Sequence, residues 1–145
     1  MSQAPRLDDQ LCFAVYTASQ AIVRAYQPFL DGLGVTYTQF LVLMVLWETD
    51  DLTVGELGAR LRLDSGTLTP LTRRMEVAGL VDRVRDPADE RRRRIRLTER
   101  GRALSGPAGE QHAALVCRLQ LPGPVAKNDL RDSLRALAEL LSGRG

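Results

Sequence analysis

The residues of this chain best suited to chemistry are two thiols, Cys12 and Cys117, and a single imidazole, His112. A thiolate is both a nucleophile and a metal ligand. Two cysteines and one histidine are too few for a tetrahedral zinc site, so we expect no metal and a solvated His112. No C-x-x-C motif, glycine-rich phosphate loop or hydrolytic triad accompanies the thiols, and no cofactor is expected.

Composition indicates the compartment in which these thiols work. The chain is 44% hydrophobic and 26% charged, which is typical of a globular protein. No apolar run approaches the roughly 20 residues that span a bilayer, and the N-terminus lacks the regions of a signal peptide. We therefore expect a cytoplasmic protein that does not enter a membrane. Disulfides are usually transient in that compartment, so both cysteines are expected to be free.

Cys12 lies near the start of a predicted helix over residues 8–31, in which apolar residues recur every three or four positions. Asp8 is its predicted N-cap. The positive end of the helix dipole favours a thiolate at Cys12, whereas the charges of Asp8 and Asp9 oppose it. A lone cysteine on a helix is also often a small buried hydrophobic residue, and the residues alone leave both interpretations open.

The elements that follow predict a winged helix-turn-helix. Thr53 and Glu56 form a capping box that begins a short helix, and a turn of three to four residues leads to a second one. Beyond it the period changes from helix to strand. The predicted elements are helices over 36–48, 54–62 and 67–78, strands over 80–85 and 92–97 joined by a turn at 86–90, a helix from Thr98 and a helix over 129–141.

The charge is segregated along the chain. Residues 60–102 hold 13 basic and 7 acidic residues, a net charge of +6, so the remainder carries −4 of the total of +2. A basic stretch can be a solvated surface, but a helix-turn-helix followed by a hairpin favours double-stranded DNA as its partner.

The candidate DNA contacts lie on the second helix of this motif and on the hairpin. Hydroxyls near a helix N-terminus meet phosphates or base edges in the major groove, and arginine reads guanine there. Arg91 at the hairpin tip is predicted to enter the minor groove with Asp89 orienting its guanidinium. Strand alternation implies that some of the neighbouring arginines instead form salt bridges. The predicted contacts are Ser65, Thr67, Thr69, Arg73, Arg74, Asp89, Arg91 and Arg92.

The segments TVGELGARL, LDSGTLTPLTRRMEVAGLV and DERRRRIRLTERG resemble the MarR family of winged-helix repressors. The segment LDDQLCFAVYTASQAIVRAYQPFLDGLGVTYTQF resembles the organic hydroperoxide sensor branch of that family, the OhrR proteins. The likeness covers about residues 7–101 and is weak beyond them. One departure is Thr38, where a proline often follows the tyrosine in that branch.

The resemblance implies that Cys12 is the thiol that peroxide oxidises and that Tyr26 and Tyr37 hydrogen-bond its sulfur. Tyr16, one turn beyond Cys12, either lines the same pocket or packs in an interface. Oxidation gives a sulfenic acid, which condenses with a second thiol. The two-cysteine members of the branch imply Cys117 of the partner subunit for that role, with a small cellular thiol as the alternative.

The resemblance also implies a homodimer, and the spacing of the site agrees with it. Cys12 and Tyr26 are 14 residues apart on one predicted helix, roughly 21 Å, so a site that uses both needs an antiparallel partner helix. We expect a mainly α-helical dimer with a small β-hairpin wing. Dimerisation helices over 1–48 and 102–145 are predicted to flank a DNA-binding lobe over 49–101.

The function predicted from these features is that of a redox-sensing repressor and not of an enzyme. The reduced dimer is expected to bind a pseudo-palindromic operator and to release it when an organic hydroperoxide oxidises Cys12. In one alternative, a phenolic ligand in the dimer cleft releases the DNA and Cys12 is passive. In another, the chain is a thiol peroxidase, which would leave the basic helix-turn-helix unexplained.

Overall fold

The computed structural model describes residues 4–121 and 123–143 of the chain, which divide into two compact units at Gly109. Most elements are helical, and the strands form one small sheet, which confirms the predicted fold class. After a 3-10 turn at Leu7–Asp9, the elements are α1 (Leu11–Leu33), α2 (Tyr37–Glu48), β1 (Leu52–Thr53), α3 (Val54–Leu61), α4 (Ser65–Val77), β2 (Val81–Arg85), β3 (Arg93–Leu97), α5 (Glu99–Ala103), α6 (Ser105–Arg118) and α7 (Lys127–Ser142). The predicted three-part division of the chain stays a prediction.

Helix α1 differs from its prediction at both ends. Asp8 lies within the 3-10 turn, so it is not the N-cap; Gln10 holds that position and makes no side-chain capping bond. The helix continues through Gly32 to Leu33 and is capped by Gly34, whose φ of 70° lies in the left-handed region that glycine adopts without strain. The helix therefore extends two residues beyond its predicted end at residue 31.

Helix α2 is the centre of the core. Thr36 and Gln39 begin it with a reciprocal capping box, in which the Thr36 hydroxyl accepts from the Gln39 amide at 3.3 Å. Apolar residues follow on all sides of the helix, and each large side chain they bury contributes roughly 1.5–3 kcal/mol. Fully buried side chains around α2 are Leu30, Phe40, Leu43, Leu46, Leu57, Leu68 and Met75.

No single helix among the described residues is both long and apolar enough to cross a membrane. Helices α1 and α2 reach that length and composition only as a pair, and they are bent by 70° at the break between them.

Helices α3 and α4 form the predicted helix-turn-helix. The Thr53–Glu56 capping box is present, with the Thr53 amide donating to Glu56 Oε2 at 2.7 Å. Helix α4 begins at Ser65, two residues before the predicted start, because the Asp64 carboxylate accepts the Thr67 amide at 2.7 Å and caps the helix. Gly58 lets the turn pass close to α3: a Cβ there would lie 2.5 Å from the Leu63 carbonyl oxygen.

The wing is a three-stranded antiparallel sheet in the order β1-β3-β2. Strands β2 and β3 pair from Val81 opposite Leu97 to Arg85 opposite Arg93, which confirms the predicted hairpin. The sequence did not predict β1, because a strand of two residues is too short to show alternation.

Two consecutive carboxylates fix this sheet to the end of α2. Asp50 Oδ1 accepts the Leu97 amide of β3 at 2.9 Å, and its other oxygen pairs with Arg102 at 2.8 Å. Asp51 Oδ1 accepts from the Nε atoms of Arg94 and Arg96, each at 2.9 Å. The hydrogen bonds from Arg96 and then Arg94 hold the pKa of Asp51 below its ordinary value.

Gly58→Ala should destabilise the protein by about 1–3 kcal/mol, because the new methyl group meets a backbone carbonyl that cannot rotate away. Chemical unfolding measures this change. The matched control is Gly55→Ala on the same helix, where the nearest atom to the new Cβ lies 3.8 Å away. The higher helix propensity of alanine should stabilise this variant by up to about 1 kcal/mol. Equal effects of the two substitutions would contradict the close approach at Gly58.

Asp51→Asn should lower the melting temperature at pH 7, since asparagine tolerates the positive φ of 60° at this position but lacks the charge that binds Arg94 and Arg96. Because the folded-state pKa of Asp51 is lowered, this stabilisation is fully present at pH values above the ordinary pKa of 3.8. It is lost as the pH falls through the folded-state pKa. The difference in melting temperature between the wild type and Asp51→Asn should therefore shrink as the pH is lowered from 7 to 3. Asp82→Asn, at an exposed carboxylate of β2, is the control, and a gap that stays constant with pH would rule out the charge.

Candidate nucleic-acid interface and reactive thiols

A basic cleft of about 740 Å³ lies between the helix-turn-helix and the wing. Helix α3 contributes small and capping residues to its wall, and α4, β2 and the hairpin contribute hydroxyls and guanidinium groups. Its arginines outnumber the single carboxylate, that of Glu56, which the capping box already engages. The cleft is lined by Thr53, Val54, Gly55, Glu56, Ala59, Ser65, Thr69, Arg73, Arg83, Arg91, Arg92 and Arg93.

The cleft brings together five of the eight predicted DNA contacts, from both the helix and the hairpin. They are Ser65, Thr69, Arg73, Arg91 and Arg92. Thr67 and Arg74 are exposed on α4 and Asp89 is half-buried on the hairpin, but none of these three lines the cleft.

The expected pairing of Asp89 with the Arg91 guanidinium is wrong in its detail. Asp89 Oδ1 accepts the backbone amide of Arg91 at 3.0 Å, and its other oxygen lies 3.5 Å from Nε of Arg92. The short turn bends the chain so that the carboxylate faces the amide two residues ahead, a local bond that aspartate commonly makes. Asp89 therefore holds the backbone at Arg91 and the side chain at Arg92.

The remaining wing arginines divide as strand alternation predicted. Arg94 is only 24% exposed and pairs with Asp51 and Asp86, so it fixes the sheet. Arg93, on the opposite face, lines the cleft together with Arg83 of β2. The sequence did not single out Arg83, although its place opposite Ile95 in a period of two could have indicated the inner face.

The guanidinium of Arg83 lies in an unfavourable electrostatic environment. Burial lowers its pKa, and the charges of Arg73 and Arg93 lower it further, while Glu76 acts in the opposite direction. Its guanidinium therefore lies among like charges in a partly desolvated position.

Both thiols are free and exposed. Cys12 is the second residue of α1, in the first turn where the helix dipole is positive, as predicted. Cys117 lies near the end of α6, beyond the division between the two units. His112 is half-buried instead of solvated, and no group of three or more His, Cys, Asp or Glu residues in the described part of the chain could hold a metal.

Tyr26 and Tyr37 form an aromatic pair between α1 and α2. Their ring centroids are 5.3 Å apart with the planes at 76°, and Phe29 and Phe40 complete the cluster. Burial raises the pKa of both tyrosines, and the neighbouring Tyr37 raises that of Tyr26 further. Both hydroxyls therefore stay protonated at neutral pH and can donate a hydrogen bond.

The structure of one chain does not bring Cys12 to these tyrosines. Cys12 and Tyr26 lie 14 residues apart on α1, which corresponds to roughly 21 Å along a helix. Tyr16 is exposed, and its hydroxyl accepts from Gln20 at 2.9 Å. A second cleft, of about 610 Å³, borders Tyr37 and Thr38 at the other end of α1.

Comparison with known sequences places this geometry among transcriptional regulators. Residues 35–92 match the sequence profile of the MarR family. The chain is 55% identical over 73% of its length to the HTH-type transcriptional regulator TtmR of Methylorubrum extorquens (strain PA1), of which it spans 57%. It is 42% identical over 94% of its length to the organic hydroperoxide resistance transcriptional regulator of Bacillus subtilis (strain 168), of which it spans 92%.

Three solved structures are similar in fold. Reduced AbfR bound to DNA gives a TM-score of 0.79 at 32% identity and covers 95% of this chain and 94% of that one. Disulfide-formed AbfR gives 0.69 at 34% identity, over 94% and 93% of the two chains; AbfR is a protein of Staphylococcus epidermidis. PcaV of Streptomyces coelicolor in complex with its natural ligand gives 0.82 at 26% identity, over 95% and 98%.

Proposed function

The chain belongs to the MarR family of winged-helix transcriptional regulators, and we propose that it is a repressor that organic hydroperoxides release from DNA by oxidising Cys12. A member of this family is a regulator and not an enzyme. One observation carries the redox part of the proposal. Cys12 is a free, exposed thiol in the first turn of α1, within the region of 42% identity to a regulator of organic hydroperoxide resistance.

The basic cleft supports the DNA-binding part of the proposal. The N-terminus of α4 offers hydroxyls and backbone amides for the major groove, and Arg91 at the hairpin tip is free to enter the minor groove. Two copies of this surface, related by a two-fold axis, would read a pseudo-palindromic operator with half-sites about one DNA turn apart. The DNA-bound form of AbfR, at a TM-score of 0.79, is consistent with this mode of binding.

The sensor chemistry begins with the thiolate of Cys12. It attacks an oxygen of the hydroperoxide; an S–O bond forms, the O–O bond breaks, and the alkoxide takes up a proton and leaves as an alcohol. Sulfur is thereby oxidised to sulfenic acid by two electrons and the peroxide is reduced. The thiol of Cys117 of the partner subunit then attacks this sulfur, an S–S bond replaces the S–O bond, and water leaves.

The tyrosines join this site only in a dimer. An antiparallel α1 helix would bring Tyr26 of the partner subunit towards Cys12, and the raised pKa of Tyr26 and Tyr37 keeps both hydroxyls protonated. Oxidation removes the negative charge that receives these bonds. Disulfide formation further requires the two cysteine Cα atoms to come within about 7 Å, and we infer that the accompanying movement displaces the DNA-binding lobes.

Cys12→Ser should bind DNA like the wild type but keep it after treatment with peroxide, because serine preserves the shape and lacks the nucleophile. An operator is first selected from a random duplex library with the reduced protein. Gel shifts then compare stoichiometric cumene hydroperoxide with a phenolic acid such as salicylate.

Release of the Cys12→Ser protein by peroxide would refute the sensor role of Cys12. Release of both proteins by the phenolic acid alone would favour a ligand-controlled repressor, for which the similarity to ligand-bound PcaV is the supporting observation. Steady turnover of peroxide with a dithiol reductant would instead indicate a peroxidase.

The resolving thiol is tested on a non-reducing gel. Oxidised wild-type protein should run as a covalent dimer, whereas Cys12→Ser and Cys117→Ser should both run as monomers, since each disulfide needs one cysteine from each chain. A wild-type monomer carrying the mass of a small-thiol adduct on Cys12 would show that Cys117 has no part in the reaction. A wild-type monomer without an adduct but with no free thiol would show that the disulfide forms within one chain.

A further inference from the structure

We propose that Arg83, together with Arg73 and Arg93, forms a clamp for one phosphodiester of the DNA strand that runs between the recognition helix and the wing. The inference rests on the proposed function and adds to it a binding residue and the chemical group that it binds. We call these three residues the arginine clamp.

The position of the cleft supplies the first reason. A recognition helix in the major groove and a hairpin tip in the neighbouring minor groove are separated by one sugar-phosphate backbone. That backbone must cross the space between α4 and the wing. The cleft occupies this space in the structure, and Arg73 of α4, Arg83 of β2 and Arg93 of β3 all line it.

The pairing of the wing places two of these residues on one face of the sheet. Arg83 lies opposite Ile95, and Arg93 lies two residues before Ile95 on β3, so Arg83, Ile95 and Arg93 share a face. Ile95 is fully buried against the helices. The same face therefore changes from apolar to cationic where it reaches the cleft.

Arg83 also has unused hydrogen-bonding capacity. Its Nε is buried and has no hydrogen-bond partner among the described residues. Glu76 of α4 accepts the backbone amide of Arg83 at 3.3 Å, so the nearby carboxylate is engaged with the main chain. A buried hydrogen-bond donor without a partner destabilises the protein. A guanidinium group can donate two parallel hydrogen bonds to two phosphate oxygens.

The charges around Arg83 favour an anion of this kind. The side chain is partly buried between two other arginines, and both the burial and the like charges lower its pKa, which indicates an unfavourable environment for a cation in the free protein. A bound phosphodiester would relieve the repulsion. Because Arg83 is recessed on the sheet rather than placed at the hairpin tip, a protruding backbone phosphate suits it better than a base edge.

The test uses Arg83→Gln and the comparison variant Arg85→Gln, which removes the same charge from an exposed position that lies opposite Arg93 on the same face but does not line the cleft. Affinity for the selected operator is measured from 50 to 200 mM salt. Losing one phosphate contact per subunit should reduce the slope of log K against log salt by about 1.8 per dimer, so Arg83→Gln should lose about 12-fold less affinity over this range than the wild type. Arg85→Gln should reduce the slope by less than Arg83→Gln, because Arg85 does not line the cleft.

A scan with neutral methylphosphonates, one position at a time along each operator strand, locates the phosphate. Wild-type protein should lose affinity at one symmetric pair of positions between the major-groove half-site and the adjacent minor groove, and Arg83→Gln should be insensitive there. The melting temperature of free Arg83→Gln at low salt should equal or exceed that of the wild type, since repulsion is relieved. Arg83→Lys should retain the salt slope and lose part of the affinity, because lysine keeps the charge without the fork.

An unchanged salt slope in Arg83→Gln with a lower melting temperature would overturn the clamp and assign Arg83 to structure alone. Loss of affinity that depends on one base pair and on no phosphate would overturn it in favour of base reading. If Arg83→Gln does not fold, Arg83→Lys and the wild-type scan decide, and a scan without a sensitive pair refutes the clamp. Failure of the reduced wild type to bind any duplex would refute the proposed function itself, which separates the two outcomes.

Discussion

The carboxylates of Asp50 and Asp51 hold β3 of the wing, and the position of the proposed wing contacts relative to the recognition helix depends on that attachment. Asp50 binds the amide of Leu97 and Asp51 binds the side chains of Arg94 and Arg96, so three points along β3 are tied to the end of α2. Strand β2 is held in place by its pairing with β3, and α4 packs against the same core. Together with the buried packing of Val81 and Ile95, these bonds set the distance of the hairpin from the recognition helix and so the width of the basic cleft.

This attachment sorts the arginines of the wing into two groups with opposite energetic roles. Arg94 and Arg96 face carboxylates, and their interactions stabilise the fold. Arg83 and Arg93 face the cleft, where arginines predominate and where the free protein holds charges that repel one another. A surface of this kind reduces the stability of the free protein slightly and favours association with a polyanion. Arginine thus serves both folding and binding. Among these four, an arginine paired with a carboxylate stabilises the fold, and an arginine without one is placed to bind DNA.

Under the proposed function, the signal from Cys12 has a continuous path to this attachment. Helix α1 carries the thiol in its first turn, and the buried residues Leu30 and Leu33 near its other end pack in the core that contains α2. Helix α2 ends at Glu48, two residues before the aspartate pair. A closely packed core transmits displacement because its side chains have few alternative positions. Movement of α1 on oxidation would therefore reach β3 through elements that are in direct contact.

Local sequence patterns were sufficient to predict the class of fold, the helix-turn-helix and the hairpin. These follow from local causes: the Thr53–Glu56 capping box, the change from helical to strand period, and the concentration of positive charge in residues 60–102. The sequence also separated Cys12 from Tyr26 by helix length alone. Other features arise from contacts between residues that are distant in sequence. The partners of Asp50 and Asp51 lie more than 40 residues away, and β1 is too short to show alternation. Arg83 becomes partly buried among like charges only when α4 and two strands pack around it. Residues distant in sequence meet only in the folded chain, so their electrostatic roles could not be predicted before the fold was known.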